Sequence, residues 1–208
     1  QWGSPTPGHP EFEIARGIEN TSGPLGQGHV FAIGAAIAAK FLAAHTGNPT
    51  FSKETIYAYI SDGGIEEEIS QGGARVAAVL GLDNLIMFYD SNGIQLSTGC
   101  DEVSSEDVKK KYEAWDWYVQ EIDGNDPDAI REALTNAKAE SRRPSLIIGH
   151  TTMGKGCLTA DGQSFENQCS THGQPLSKSG ASFTATVKNL GGDPEDPFQI
   201  FPEVKKLY

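Results

Sequence analysis

The 208 residues hold few basic groups, few sulfur atoms and no long uninterrupted apolar run. Sixteen Lys and Arg face 28 Asp and Glu, for a formal charge of −12. Such a surface repels phosphate backbones, so nucleic acid is excluded as a favoured partner. Three cysteines at wide, unequal spacing (Cys100, Cys157, Cys169) make neither a disulfide framework nor a zinc site. An odd number of thiols fits a reducing compartment, and a cytoplasmic location is expected. The longest apolar-rich stretch, Val30 to Ala44, is interrupted by Lys40 and reads as too short to span a bilayer. No basic segment leads into a short apolar one, so no secretory signal is read in these residues. No internal repeat or low-complexity tract breaks the chain.

What is present suits one globular α/β domain: 38% apolar residues and 24 glycines. The first twenty residues, rich in Pro and Gly, read as irregular loop. An Ala-rich helix is expected from about Gly28 to Ala44. Ile56–Ile60 (IYAYI) and Leu85–Tyr89 (LIMFY) read as short buried strands, and Tyr118–Ile122 and Ser145–Gly149 (SLIIG) as two further strands. Helices are expected over Glu67–Leu80, over Ser104–Trp115 with capping residues at its start, and from Asp126-Pro127 to about Ala139. From Met153 onward Gly, Lys, Ser and Pro dominate, and the reading is extended loop with one short helix near Phe183–Leu190. Strands alternating with helices imply a parallel sheet covered on both faces. In such sheets ligands bind beyond the carboxyl ends of the strands.

Two strand ends carry oxygen donors. IYAYI runs into Ser61-Asp62-Gly63-Gly64, and LIMFY runs into the expected turn Asp90-Ser91-Asn92-Gly93, with Asn92 thirty residues after Asp62. Carboxylate and amide oxygens suit a hard divalent cation, which takes a few protein oxygens and fills its shell with phosphates and water. An acidic chain that binds a diphosphate has to rely on such a metal, on backbone N–H groups and on glycines that permit close approach. By spacing alone, ordinary turn chemistry is the favoured account of both segments.

Read together, SDG and the later DSNG resemble the thiamine diphosphate motif of transketolases and their relatives, a GDG triplet followed at a distance by Asn. Pro7-Gly8-His9-Pro10-Glu11 resembles the GHPE loop of transketolases, and Thr21 to Gly28 (TSGPLGQG) resembles their TTGPLGQG segment. Tyr112-Glu113-Ala114-Trp115-Asp116-Trp117 is similar to YEAYGW, with Asp116 in place of Gly. Asp123-Gly124-Asn125-Asp126 is similar to DGHD, and His172 to Leu176 (HGQPL) to HGAPL. These matches run in family order over nearly the whole chain.

The resemblance implies a thiamine diphosphate-binding fold, incomplete at its N-terminus, and transfer of a two-carbon ketol unit between ketose and aldose phosphates in the pentose phosphate pathway. It implies Asp62 and Asn92 as side-chain ligands of Mg²⁺ (or Ca²⁺), with Ile94 adding its backbone carbonyl. Gly63 would donate its N–H to the diphosphate, while Gly23, Pro24 and Leu25 would contact the cofactor through the loop they form. His9 would bond the terminal hydroxyl of the sugar phosphate. His172 would sit between diphosphate and substrate carbonyl and act in proton transfer. Glu67 stands where the family has a glutamate in its dimer interface, so a homodimer, or a partner chain supplying the pyrimidine-binding domain, is implied. Two departures stand out: Ser61 where Gly is usual, and Cys169 where some relatives carry His.

The resemblance also implies that an upstream SGHPG-like segment and the glutamate that activates the aminopyrimidine lie outside these residues. The chain is therefore expected to be an internal piece, with residues 1–25 as an active-site loop and 153–208 as a mostly looped extension, and to show no turnover by itself. Other readings stay open at this point: a different thiamine diphosphate enzyme, the N-terminal subunit of a split transketolase, or a non-catalytic binding module on the same fold.

Overall fold

The computed structural model describes residues 11–21 and 23–208. Ahead of the first long helix, Ile14–Arg16 forms a single 3₁₀ turn closed by Gly17 in the left-handed conformation. The elements that follow are α1 (Gln27–Thr46), α2 (Pro49–Ser52), β1 (Ile56–Ser61), α3 (Asp62–Glu66), α4 (Glu68–Val79), β2 (Leu85–Ser91), α5 (Val108–Ala114), β3 (Tyr118–Asp123), α6 (Pro127–Ala139) and β4 (Ser145–His150). Three short helices complete the chain: α7 (Leu176–Ser179), α8 (Phe183–Asn189) and α9 (Pro202–Leu207). The sheet is parallel, with strand order β1-β2-β4-β3. β1 and β2 lie in register from Ile56↔Leu85 to Ser61↔Asp90.

Alternation along the central strands builds two cores. Leu85, Met87 and Tyr89 of β2 join Leu146 and Ile148 of β4 on one face, under Ile33 and Ala36 of α1, Ala74 and Ala77 of α4, and Tyr112 of α5. Ile86 and Ile147 point the other way, onto Ala133 and Ala137 of α6. This period of two is why β2 and β4 read as continuous apolar runs: both faces are covered. Alanines at the contacts let the helices ride close to the sheet. Trp117 and Tyr112 are buried edge to face at 5.2 Å, and the Trp117 indole N–H donates to the Ala74 carbonyl at 2.9 Å.

The four strands fall where the sequence places them, and α6 begins at Pro127 with the Asp126 carboxylate accepting from the Asp128 N–H at 2.9 Å. Three boundaries differ. The segment expected to turn at Asp90 instead keeps Asp90 and Ser91 in β2, because Ser61 of the neighbouring strand pairs with Asp90. The helix expected from Ser104 starts at Val108, where Asp107 caps it by accepting from the Lys110 N–H at 3.0 Å. The stretch expected to be too short for a bilayer lies in a twenty-residue helix, α1, which by length and composition alone is long and apolar enough to cross one. Its His29, Ile33, Ala36 and Ala39 are buried within the protein.

Contacts divide the chain into two compact units. One comprises the residues up to Ser91 together with 106–149, and holds the sheet and both cores. The other comprises 92–105 with 150–208. In the second, the sequence reads as loop with one short helix; α8 is that helix, and α7 and α9 are present besides. Here Ser182 caps α8 by accepting from the Ala185 N–H, and Thr186 reaches back to the Leu158 N–H at 3.0 Å.

Candidate active site

At the carboxyl end of β1 the chain turns directly into α3. Ser61 is the turn's cap: its hydroxyl oxygen accepts from the Gly64 N–H at 3.3 Å. The side chain that departs from the family's Gly thus takes on a local structural task. Asp62 comes next and is 4% exposed. A carboxylate that deep needs polar partners, and the Tyr89 hydroxyl of the adjacent strand donates to its Oδ1 at 2.6 Å. Asp62 is therefore held rigidly at the strand end.

Beside this turn, an open cavity of about 410 Å³ is lined by Gly23, Pro24, Leu25, Gly26, Gly28, His29, Tyr59, Ile60, Ser61 and Asp90. The size falls within the usual range for small-molecule and cofactor sites. It brings together the three loop residues assigned to the cofactor, Gly23, Pro24 and Leu25, with the ends of β1 and β2. Among the described residues its lining contains no lysine or arginine, so a cation would help to seat a polyanion there. Gly63 adjoins the same loop: a Cβ added to it would stand 3.3 Å from Leu25 Cδ2.

The loop is shaped by Gly26, which precedes α1 at φ +86° with no side-chain cap. A Cβ there would stand 2.9 Å from Ile69 Cγ2 and from Ser70 Oγ, and 3.0 Å from Glu67 Cβ. Both the left-handed backbone and the close approach demand glycine. Gly26→Ala is expected to cost about 2–4 kcal/mol, adding left-handed strain to the clash. Gly23→Ala, with nothing within 4 Å of its added Cβ, leaves stability unchanged. Chemical denaturation of the two variants side by side checks this.

His29, in the first turn of α1, is buried. Its Nε2 faces the Tyr59 carbonyl at 3.0 Å and its Nδ1 faces the Ser70 hydroxyl at 2.8 Å. A carbonyl only accepts, so Nε2 carries the hydrogen. Burial pushes the imidazole pKa down, against the opposing pull of the Tyr59 and Gly26 carbonyls. The ring is therefore neutral, and Ser70 donates to Nδ1. A depressed pKa makes the sign definite: the unfolded chain takes up a proton below about 6.5 while the folded chain resists it. Stability present above that pH is lost as pH falls toward the folded value. The thermal midpoint is expected to decline on acidification below about pH 6.5, and His29→Gln to flatten this part of the profile.

Of the remaining assigned residues, Glu67 lies in the first unit, Asn92, Ile94 and His172 in the second, and His9 outside the described residues. Asn92 follows Ser91, the last residue of β2, and its Oδ1 accepts from the Ile94 N–H at 3.0 Å. This contact closes an Asx turn. Ile94 bridges Gly99 across the turn. His172 ends the 3₁₀ turn Cys169–Thr171, donating its own N–H to the Cys169 carbonyl at 3.0 Å. Its Nδ1 is buried without a hydrogen-bond partner. Glu67 is exposed, just before α4. His9 lies outside the described residues. Among the described residues, no three His, Cys, Asp or Glu side chains gather into a metal cluster.

The family model for the transketolase thiamine diphosphate binding domain matches residues 1–208. The chain belongs to the transketolase family. Transketolase 2 of Xanthobacter flavus is 36% identical over 208 residues, covering 99% of this chain and 29% of that protein. The transketolase structure from Leishmania mexicana superposes with a TM-score of 0.87 at 33% identity, over 100% of this chain and 30% of that one. A Pichia stipitis transketolase solved with sedoheptulose 7-phosphate gives 0.86 at 31% identity, again over 100% and 30%. The chain thus spans about a third of the length of the transketolases it matches. Within the transketolase domain the parallel sheet and its covering helices are shared.

Sequence reading passed over two residues at this site. Tyr89 reads as the last residue of the strand LIMFY, and no motif gives His29 a role. Nothing local in the sequence marks Tyr89 as the partner of Asp62. The signal for His29 was its place: the only imidazole in the apolar first turns of an Ala-rich helix.

Proposed function

We propose that this chain holds the diphosphate and metal ion of thiamine diphosphate in an enzyme that transfers two-carbon ketol units between sugar phosphates. The observation that carries the reading is the cavity at the end of β1, walled by Gly23, Pro24 and Leu25 and adjoining the buried carboxylate of Asp62. The donor set fits a hard cation. Asp62 offers a fixed carboxylate oxygen, Asn92 an amide oxygen and Ile94 a carbonyl, which with phosphate oxygens and water suits Mg²⁺. With no basic side chain among the described residues lining the cavity, that cation would help to seat the diphosphate.

Gly63 presents an N–H to the diphosphate with no Cβ in the way. The Gly23–Leu25 loop orients the cofactor ring through its backbone. His172, with a buried ring nitrogen that lacks a partner, holds or moves a proton at the substrate's carbonyl oxygen. His9 binds the far end of the sugar. Bound thiamine diphosphate supplies a carbanion at its thiazolium ring and an electron sink; the chain supplies position and electrostatics. The Pichia stipitis transketolase solved with sedoheptulose 7-phosphate supports sugar phosphates as the substrates. The family resemblance supports a dimer with Glu67 at its interface.

Thermal unfolding with and without thiamine diphosphate plus Mg²⁺ tests the reading. At 100 times the dissociation constant a native-state ligand adds about 2.7 kcal/mol. At this chain length that is a rise of several degrees. The rise should need both ligands. No shift with both at millimolar concentration would overturn it.

A further inference from the structure

We propose that His29 is a positioning residue, a neutral bracket that sets the cavity wall Gly23–Gly26 relative to the end of β1; this rests on that wall receiving the cofactor. Within the loop only a long backbone bond is formed, from the Gln27 N–H to the Pro24 carbonyl at 3.4 Å. No side chain caps α1, and Gly26 occupies a backbone conformation that glycine tolerates but does not enforce. Firmer support comes from neighbouring elements, and His29 reaches three of them.

Through Nε2–H it holds the Tyr59 carbonyl, two residues before Ser61 in β1. Through Nδ1 it accepts from Ser70 in the first turn of α4. The Ser70 oxygen itself lies under Gly26, 2.9 Å from where a Cβ would stand. On its third side the ring abuts the turn that carries Asp62, with Cε1 3.2 Å from a Cβ built on Gly64. One imidazole therefore joins the loop facing the cofactor ring to the turn facing the metal, and it also lines the cavity between them. An apolar side chain of similar size would fill the space. It would remove the hydrogen bonds to a carbonyl and a hydroxyl, at a cost of about tenfold or more in total.

Calorimetric titration of the complete gene product with Mg²⁺ and thiamine diphosphate tests this, with the cofactor-free thermal midpoint measured alongside. His29→Leu should weaken the cofactor by about tenfold or more. His29→Gln, whose amide can donate to Tyr59 and accept from Ser70, should restore affinity to within about threefold of the parent. Ser70→Ala should act in the same direction, and the double variant His29→Leu/Ser70→Ala should be no weaker than His29→Leu alone. Ser70→Ala keeps the imidazole, so it tests the bracket even if His29→Leu does not fold. Parental affinity in His29→Leu and Ser70→Ala overturns the inference, even with a lowered thermal midpoint, which a filler of the core would show. Asp62→Ala separates the two readings: lost binding there with parental affinity in His29→Leu sinks the bracket alone, while retained binding in Asp62→Ala sinks the metal assignment.

Discussion

Asp62→Ala is expected to abolish Mg²⁺-dependent binding of thiamine diphosphate. Loss of an outer-shell partner typically costs about 10–100-fold in metal affinity, and removal of a ligand that also carries the neutralising charge should exceed that. A metal ligand at this position would have two tasks. The buried Asp62 carboxylate also accepts from the Tyr89 hydroxyl, so alanine removes that hydrogen bond as well and costs about 1 kcal/mol or more of stability. Asp62→Asn separates the tasks. The amide oxygen still accepts from Tyr89 at nearly the same position, while the charge facing Mg²⁺ is gone. Calorimetry should find cofactor binding lost in both variants, with the cofactor-free thermal midpoint lowered mainly in the alanine one. Parental affinity in Asp62→Asn would refute the metal role.

The largest expected loss of stability comes from Trp117→Ala. The indole is 1% exposed, stacks edge to face on Tyr112 and donates to the Ala74 carbonyl in α4. Truncating a buried aromatic costs about 3–5 kcal/mol through lost transfer free energy and an unfilled cavity. The lost hydrogen bond to Ala74 adds to it. Domains of ordinary stability have only about 5–15 kcal/mol in total. The thermal midpoint should therefore fall by roughly 10 °C or more. Trp117→Phe, which keeps most of the volume and loses the hydrogen bond, should recover over half of the loss in urea denaturation. An alanine variant with an unchanged midpoint would show that this cluster does not anchor α5 and α4 to the sheet.

Tyr112 sits in the same cluster with a hydroxyl that is buried and has no hydrogen-bond partner. Burial pushes its phenol well above the usual range. Its ring does the work here.

The elements legible in the sequence are those set by neighbours in the chain. The apolar runs of β2 and β4 are long because both faces are covered, and Asp126-Pro127 starts α6 through a cap formed within three residues. The family motifs single out Asp62, Asn92 and His172 because each motif is a short contiguous stretch of chain. What stayed hidden depends on partners distant in sequence. Asp90 and Ser91 look like a turn until Ser61 pairs with Asp90. Tyr89 gains its role only by facing Asp62, 27 residues away, and His29 by facing Ser70, 41 residues away. The short helices α7 and α9 carry too few residues for a 3.6 period to register.

The strand order has a consequence for how the chain is made. β4 is translated last of the four strands yet lies between β2 and β3, and its Leu146, Ile147 and Ile148 supply both cores. A growing polypeptide must leave the inner edge of β2 unzipped until residue 150 has cleared the ribosome. Its first half is then an apolar half-shell waiting for a keystone, a state in which chaperone capture competes with premature association.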